Sequence, residues 1–286
     1  MTDVRLSYLV CATQRSGSTL LCELLKSTGV AGRPEEYFEA MRDTGAPPHP
    51  RDFLHGLAPT GVGIRDDPRP PQAPDYSSLA GLADYRQHLE RTFARGTTPN
   101  GVFAAKLMFN QLDELYALAG RLPEFSGLEV AELLDRVFRG PRYLWISRRD
   151  VVRQAVSMWK ALQTRTWRAA EHDSMDVGDP VQPQYRFDAI DHLVRRFETE
   201  EHGWRTFFSW HGIEPLTIVY EDELIADPEG TVDRALEWLG IRRPRDARPD
   251  APTRKQSDTG SDDWVAAYHR DRAAVSSTRG AVSARS

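Results

Sequence analysis

The hydrophobic and polar positions of the chain form two patterns, short continuous apolar runs and longer stretches with helical spacing. The short runs predict buried strands at residues 6–12, 102–106, 142–147 and 215–220. The longer stretches place apolar residues three and four positions apart, which predicts helices at residues 20–28, 79–95, 110–121, 128–138, 150–165, 185–210 and 228–239. Strands that alternate with helices predict an α/β fold in which helices flank a parallel sheet on both faces.

Two segments do not follow this alternation. Residues 43–76 are rich in proline, glycine and aspartate, as in "DTGAPPHP" and "RDDPRPPQAPDY", which predicts an extended surface excursion with little regular structure. Residues 271–286 are mostly small and polar and predict a flexible tail. The sequence shows no internal repeat, so we interpret residues 1–270 as a single domain that contains the excursion.

Composition excludes several classes of function. A formal net charge of −5 argues against a general nucleic-acid-binding protein, although it leaves room for a small anionic ligand. No apolar run approaches the roughly 20 residues that cross a bilayer, and the chain opens directly on a strand pattern rather than a signal peptide. The two cysteines, Cys11 and Cys22, fall in the first strand and the first helix, where reduced and buried thiols are expected. Together these features indicate a cytoplasmic protein.

A polar loop with the sequence "QRSGST" joins the first strand to the first helix. Backbone N–H groups at a helix N-terminus lack intrahelical partners and lie at the positive end of the helix dipole, so an anion is stabilised there. Gly17 permits a positive φ or a close backbone approach. Ser16, Ser18 and Thr19 supply hydroxyl donors, and Arg15 supplies a fixed positive charge. The structural alternative is a capped strand–helix turn with a solvent-facing arginine.

The loop is not the Walker A motif of ATP- and GTP-binding proteins, G-x-x-x-x-G-K-[ST]. Ala12 stands where the first glycine of that motif belongs, and Ser18 stands where the lysine belongs. The third predicted strand leads into Arg148 instead of an acidic residue that could hold magnesium. The loop therefore favours an anion other than a magnesium-bound triphosphate.

The segment "TQRSGSTLL" resembles the 5′-phosphosulfate-binding loop of sulfotransferases that use 3′-phosphoadenosine-5′-phosphosulfate (PAPS). The wider run "YLVCATQRSGSTLLCELLKSTGVAGRPEEYF" resembles the Stf-zero family, the bacterial trehalose sulfotransferases. "NGVFAAKLMFNQ", "DVVRQAVSMWKALQTRTW" and "SDDWVAAYHRD" are similar to that family too, so the resemblance spans about residues 6–270. It implies a P-loop-like fold, sulfuryl transfer from PAPS to a hydroxyl, and a homodimer. No metal is expected.

The resemblance also implies a site for the 3′-phosphate of PAPS. In the family an arginine at a strand end and a serine in the following helix hold this phosphate, and here they are Arg148 and Ser157. Arg149 remains a rival because it lies one residue nearer to Ser157, a spacing closer to that of many animal sulfotransferases. Both arginines could instead form a solvated surface pair. Lys255, in "RKQS", is a candidate for a lid over the nucleotide, or belongs to a solvated charged loop.

Sulfuryl transfer needs cations near the leaving phosphate and a base for the hydroxyl proton. Arg15 and Lys106 are the candidate cations. Many animal sulfotransferases place a histidine base two residues after the strand lysine, but Met108 holds that position here. The resemblance assigns the role of base to Glu36.

Glu36 follows the first helix in "GRPEEYFEA". Partial burial beside the neighbouring aromatic residues Tyr37 and Phe38 is expected to raise the pKa of its carboxyl group. Glu35 serves as an internal control, because adjacent side chains rarely face the same site. The alternative role for Glu36 is a helix cap or a salt bridge to Arg33.

The acceptor is the least defined part of the prediction. Arg33 stands where the trehalose enzymes commonly carry an acid, so it reverses the charge next to the expected acceptor site. Gln163, Arg165 and Trp167 combine hydrogen-bonding groups with an aromatic face, which suits a carbohydrate. An equally simple interpretation is a helix end that packs on the core.

Three hypotheses follow from the sequence. The leading one is a PAPS-dependent sulfotransferase that acts on a hydroxyl of trehalose, a related glycoside or another sugar-bearing small molecule. The second is a P-loop-type ATP-dependent kinase, which predicts a dependence on magnesium. The third is a nucleotide-binding protein without catalytic activity, and the joint presence of Arg15, Lys106 and Glu36 argues against it.

Overall fold

The structure is a computed structural model that describes residues 3–41, 47–48, 50–57, 64, 79–164, 182–244 and 259–283. These residues belong to two compact units. The first unit comprises residues 1–49, 67–149 and 199–252, and the second comprises residues 50–66, 150–198 and 253–286.

The first unit contains a four-stranded parallel sheet. Its strands are β1 (Leu6–Ala12), β2 (Val102–Met108), β3 (Arg142–Ser147) and β4 (Leu216–Val219), in the spatial order β2-β1-β3-β4. Val10 of β1 lies opposite Lys106 of β2 and Leu144 of β3. The predicted parallel sheet is confirmed, and β2 continues two residues past its predicted end because its last two residues pair with the end of β1.

Eight α-helices accompany these strands in the described part of the chain. In chain order they are α1 (Ser18–Ser27), α2 (Leu79–Gly96), α3 (Phe109–Ala119), α4 (Val130–Phe138), α5 (Val151–Thr164), α6 (Phe187–Trp210), α7 (Pro228–Leu239) and α8 (Thr259–Ser283). The ends of α7 follow from its sequence: Asp227 accepts a hydrogen bond from the Gly230 amide, Pro228 opens the helix, and Gly240 ends it at a φ of 71°. None of the described helices is both long and apolar enough to span a membrane.

The strands bury both of their faces. Leu9, Phe103 and Trp145 point to one side, where they pack with α2, α3, α4 and Trp204 of α6. Val10, Ala104 and Leu144 point to the other side, where they pack with α1 and α7. Because successive side chains of a strand face opposite ways, a strand covered on both sides needs an unbroken apolar run. This is the pattern that predicted the strands.

The strand order reverses direction at β1. The chain runs from β1 to β2 on one side and then returns to β3 on the other side of β1. At such a reversal the connections leave in opposite directions, and ligands of open α/β sheets bind outside the carboxyl ends of the strands there. The loop after β1 and Arg148 after β3 both lie at the carboxyl ends of these strands.

The second unit has a core of its own, built from α5, the first half of α6, and α8. Trp159, Ile190 and Tyr268 are buried in it. Asp191 links two of these helices, because its carboxylate accepts a 2.9 Å hydrogen bond from the Tyr268 hydroxyl and pairs with Arg272. These two polar contacts link α8 to α6.

The excursion and the predicted tail both contain helical residues in the described part of the chain. Within the excursion, Pro50–Leu54 forms a 3₁₀-helix, and Phe53 is buried in the core of the second unit with the Arg196 guanidinium 4.9 Å from its ring centroid. An aromatic side chain gains from burial even inside a proline-rich segment. The predicted tail continues α8 to Ser283, and its first residue, Asp271, accepts a 2.8 Å hydrogen bond from the Tyr185 hydroxyl.

Candidate active site

The loop after β1 has the conformation that an anion-binding loop needs. Arg15 and Gly17 both have positive φ values, 62° and 94°, and the Ser16 amide donates to the Thr13 carbonyl at 3.3 Å. Gly17 is the N-cap of α1, and a glycine offers no side chain to the first-turn amides. The positive φ predicted for Gly17 is confirmed, whereas that of Arg15 was not foreseen.

Tyr220 packs directly on this loop. A Cβ atom at Gly17 would lie 2.2 Å from Cδ2 of the Tyr220 ring, well inside van der Waals contact. Gly17 is therefore required for two reasons, the left-handed backbone and the space that the ring occupies.

Ser16 presents the clearest sign that the loop has a ligand. Its side chain is 0% exposed, and Oγ has no hydrogen-bond partner among the residues that the structure describes. A buried hydroxyl without a partner costs free energy, and such groups in native proteins usually await a ligand, an ion or a water. An unsatisfied donor between two left-handed residues at a helix N-terminus fits a phosphate or sulfate group.

The two arginines after β3 differ sharply in their surroundings. Arg148 is 10% exposed, donates from Nη1 to the Arg15 carbonyl at 2.9 Å, and lies 4.8 Å from the centroid of the Tyr220 ring. Arg149 is 68% exposed and pairs with Asp222. Arg148 thus adjoins the anion loop, which favours it over Arg149 as the phosphate ligand.

Glu36 and Lys106 form an ion pair beside the loop. Nζ of Lys106 lies 2.6 Å from Oε1 of Glu36 and donates to Oγ1 of Thr19 at 3.3 Å. The Lys106 side chain is 3% exposed and that of Glu36 is 26% exposed. The candidate base, the strand lysine and the loop, which were predicted from three distant parts of the sequence, therefore meet at one place.

The charge state of Glu36 follows from this pairing. Burial by itself would raise the pKa of the Glu36 carboxyl, but the Lys106 ammonium and a hydrogen bond from Gln111 hold that pKa below its usual range. Burial does raise the pKa of Glu36 as expected, but the buried Lys106 cation, which that expectation left out, outweighs burial. The group is a carboxylate at neutral pH.

The neighbours of Glu36 are directed elsewhere. Glu35 pairs with Lys26, which also pairs with Glu23 at 2.8 Å. Arg33 is exposed and donates from Nη1 to the Thr97 carbonyl at 3.2 Å. Two adjacent glutamates thus have separate partners, and the salt-bridge partner of Glu36 is Lys106 instead of the suggested Arg33.

With this geometry established, comparison with known proteins identifies the family. The family model described as "Stf0 sulphotransferase" matches residues 7–271. This chain belongs to the Stf0 sulphotransferase family. It is 37% identical over 265 residues to the trehalose 2-sulfotransferase of Mycobacterium tuberculosis, covering 92% of this chain and 94% of the relative. It is 38% identical over 272 residues to that of Mycolicibacterium smegmatis, covering 95% and 97%.

The predicted family resemblance is confirmed, and the protein is an enzyme of the sulfotransferase class. Among solved structures, the sulfotransferase domain from the curacin biosynthetic pathway matches at 12% identity and a TM-score of 0.43, covering 90% of this chain and 82% of that one. A sulfotransferase from Mycobacterium avium matches at 13% identity and a TM-score of 0.42, covering 85% and 66%.

Gln111 contacts the candidate base and was not among the residues predicted from the sequence. Its Nε2 donates to Oε2 of Glu36 at 3.1 Å, and its Oε1 accepts from the Met108 amide at 3.0 Å. A signal was present, since Gln111 is a polar residue in the first turn of the helix that follows the lysine-bearing strand, within the segment "NGVFAAKLMFNQ".

The second unit carries the other predicted site residues that the structure describes. Ser157 is half-buried on α5. Gln163 is buried and makes two hydrogen bonds to the Gln184 backbone. Its Nε2 donates to the Gln184 carbonyl at 3.1 Å, and its Oε1 accepts from the Gln184 amide at 2.8 Å. These contacts match the alternative of a helix end that packs on the core. Arg165, Trp167 and Lys255 lie outside the described residues.

Among the described residues, no group of three or more His, Cys, Asp and Glu side chains is arranged to hold a metal ion. Cys11 and Cys22 are both free and buried, as predicted.

Proposed function

We propose that this Stf0 enzyme transfers the sulfuryl group of PAPS to a hydroxyl of a sugar or sugar-bearing small molecule, with trehalose or a related glycoside as the first candidate. The observation that carries the proposal is the contact of Lys106 with both the candidate base, at 2.6 Å, and the anion loop, at 3.3 Å. A base and a cation in direct contact beside an anion site are the groups that in-line transfer to an alcohol requires.

The residues that would hold PAPS fit its chemistry. Ser16, Gly17, Ser18, Thr19 and Arg15 would hold the 5′-phosphosulfate, because they combine a buried unsatisfied hydroxyl with a helix N-terminus.

Arg148 would bind the 3′-phosphate, since a guanidinium fork suits two phosphate oxygens. Ser157 remains a candidate ligand of this phosphate on the family resemblance alone. Lys255 remains a candidate for closing over the nucleotide. When bound, PAPS supplies a sulfuryl group whose bond to a phosphate oxygen breaks as the acceptor oxygen–sulfur bond forms.

Glu36 would accept the proton of the acceptor hydroxyl. Its carboxylate is already ionised, and about a quarter of its side-chain surface remains accessible to an acceptor. Lys106 and Arg15 would stabilise the negative charge that develops at the loop. When Glu36 takes up the proton, the Lys106 ammonium keeps its charge and its contact with Thr19.

The identity of the acceptor rests on the relatives and on Arg33. The two curated relatives bear the name trehalose 2-sulfotransferase. Arg33 replaces an expected acid, so we propose that it weakens the use of trehalose in favour of another glycoside. Arg165, Trp167 and Gln163 remain candidates for acceptor binding. Arg33→Glu should then improve kcat/KM for trehalose, and an unchanged value would remove Arg33 from acceptor selection.

We further propose that the enzyme is a cytoplasmic homodimer with one sulfotransferase domain over residues 1–270. The family resemblance supports the dimer, and the small number of cysteines supports a reducing compartment. Sedimentation equilibrium of the purified chain tests the dimer.

Mass spectrometry of trehalose and a panel of glycosides, incubated with enzyme and PAPS in the presence of EDTA, tests the activity. A gain of one SO₃ group on a hydroxyl is expected. A phosphate gain with magnesium and ATP would support the kinase instead. Tight binding of the product PAP without turnover of any acceptor would support a protein without catalytic activity.

A further inference from the structure

Gln111 uses both ends of its side-chain amide. Met108 and Gln111 are the N-cap and third residue of α3, and Oε1 of Gln111 accepts from the Met108 amide. Nε2 donates to Glu36, which lies 75 residues away along the chain. The Gln111 side chain is buried, so its contact with Met108 is shielded from water, while the contact with the half-buried Glu36 is shielded in part.

The direction of this amide is set by chemistry. The Met108 backbone N–H is a donor and needs an acceptor, so the oxygen of the Gln111 amide must face it. A flipped amide would place two donors against each other at Met108. The NH₂ group therefore faces Glu36, whose Oε2 accepts its hydrogen bond.

Glu36 is consequently held at both of its oxygens. Oε1 pairs with Lys106 of β2, and Oε2 accepts from Gln111 of α3. Two donors on different elements fix the plane of a carboxylate, whereas one donor leaves it free to rotate. We propose that Gln111 is a positioning residue that orients the Glu36 carboxylate toward the acceptor hydroxyl. This inference rests on the proposed role of Glu36 as the base.

Other groups also face Glu36 and contribute to its titration. Lys106 favours the carboxylate, Glu39 interacts with it from the same segment, and the buried thiol of Cys22 on α1 is electrostatically coupled to it. A side-chain hydrogen bond with Glu39 also lowers the pKa of Glu36, whereas Gln111 supplies the hydrogen bond at Oε2 from an uncharged donor. Removal of the Gln111 hydrogen bond should therefore raise the pKa of Glu36.

Two substitutions separate positioning from helix capping. Gln111→Met removes both hydrogen bonds, keeps a side chain of similar length and adds no charge beside Glu36. Gln111→Ala removes both hydrogen bonds and most of the side chain. If Gln111 orients Glu36, both variants should lower kcat about 10-fold or more, the loss expected for one hydrogen bond to a charged group, with little change in the affinity for PAP. The acid limb of the kcat/KM profile should move to higher pH, because the carboxylate loses a stabilising donor.

A capping role alone gives a different result. Gln111→Met and Gln111→Ala would then lower the melting temperature but keep the kcat and the acid limb of the wild type. That outcome would overturn the proposal. Should Gln111→Met fail to fold, Gln111→Ala takes its place. In a Glu36→Gln background, Gln111→Ala should cause little further loss of kcat, since the carboxylate is already gone.

A titration without turnover keeps this inference separate from the proposed function. The pKa of the Glu36 carboxyl can be followed by ¹³C NMR in the wild type and in Gln111→Ala. A higher Glu36 pKa in the variant supports the Gln111 contact, whatever the activity of Glu36→Gln. Full activity of Glu36→Gln would refute Glu36 as the base, and with it the positioning role of Gln111 in catalysis. An unchanged pKa refutes the contact itself.

Discussion

Gly17→Ala provides a sharp test of the loop geometry, because two separate costs meet at this residue. The backbone φ of 94° is unfavourable for any residue with a Cβ, at about 1–2 kcal/mol. The new Cβ would also lie 2.2 Å from Cδ2 and 2.6 Å from Cε2 of the Tyr220 ring. Displacing a packed ring costs about 1–3 kcal/mol more. We expect Gly17→Ala to lower the free energy of unfolding by about 2–5 kcal/mol.

Gly29→Ala is the matched control. Gly29 also has a positive φ, 71°, but a Cβ there would meet nothing within 4 Å. It should therefore incur the backbone cost alone, about 1–2 kcal/mol. Denaturant unfolding of both variants gives the two free energies, and calorimetry with PAP reports whether the loop still binds its anion.

A double-mutant cycle isolates the contact with the ring. Tyr220→Ala should remove the steric part of the Gly17→Ala effect, which predicts a coupling free energy of about 1–3 kcal/mol between the two sites. If Gly17→Ala costs no more than Gly29→Ala, and the cycle shows no coupling, then Tyr220 does not pack on the loop as inferred.

The remaining predictions concern the chemistry of the site. Glu36→Gln should lower kcat about 10²- to 10⁴-fold without weakening PAP binding, and the control Glu35→Gln should change neither by much. Steady-state kinetics measure kcat and calorimetry measures PAP binding. Only a mild loss of kcat in Glu36→Gln would refute its role as the base. Arg148→Ala should weaken PAP far more than an analogue without the 3′-phosphate in calorimetry, and Arg149→Ala should not, so that the reverse ranking would transfer the role to Arg149. Because the pKa of Glu36 is lower in the folded than in the unfolded state, the Glu36–Lys106 pair stabilises the fold above the unfolded-state pKa. This stabilisation is lost as the pH falls through the folded-state pKa. Chemical unfolding across acidic pH should therefore show a smaller decrease in the free energy of unfolding for Glu36→Gln than for the wild type.

The fold was predictable because its signals are local. A strand covered on both faces must be apolar throughout, and a helix on a sheet must be apolar at every third or fourth position, so both appear in a short window of sequence. The segment around Phe53 was harder to predict, since one aromatic residue among prolines forms no periodic pattern. The helical continuation beyond residue 270 depends on contacts such as that of Asp271 with Tyr185, which lies 86 residues earlier.

The site was predictable only in part for a related reason. The loop residues are consecutive, and the family resemblance supplied roles for Glu36 and Lys106. Their direct contact, and the hydrogen bond from Gln111, join positions 70 and 75 residues apart, which no local pattern reveals. The net direction of the Glu36 pKa shift was missed for the same reason, because burial can be inferred from neighbouring aromatic residues, whereas a buried cation 70 residues away cannot.

The pairing of Glu36 with Lys106 bears on how the proposed base would work. A carboxylate whose pKa is lowered by a neighbouring ammonium is fully ionised at neutral pH, but it is a weaker base than one buried alone. On the proposed mechanism, its value therefore lies in orientation more than in basicity, since both of its oxygens are held by donors from β2 and α3. Protonation of Glu36 during transfer would also end its attraction for the Lys106 charge. The Lys106 ammonium would then interact mainly with the leaving phosphate, which is expected beside Thr19. Proton uptake by Glu36 would therefore strengthen the stabilisation of the leaving group.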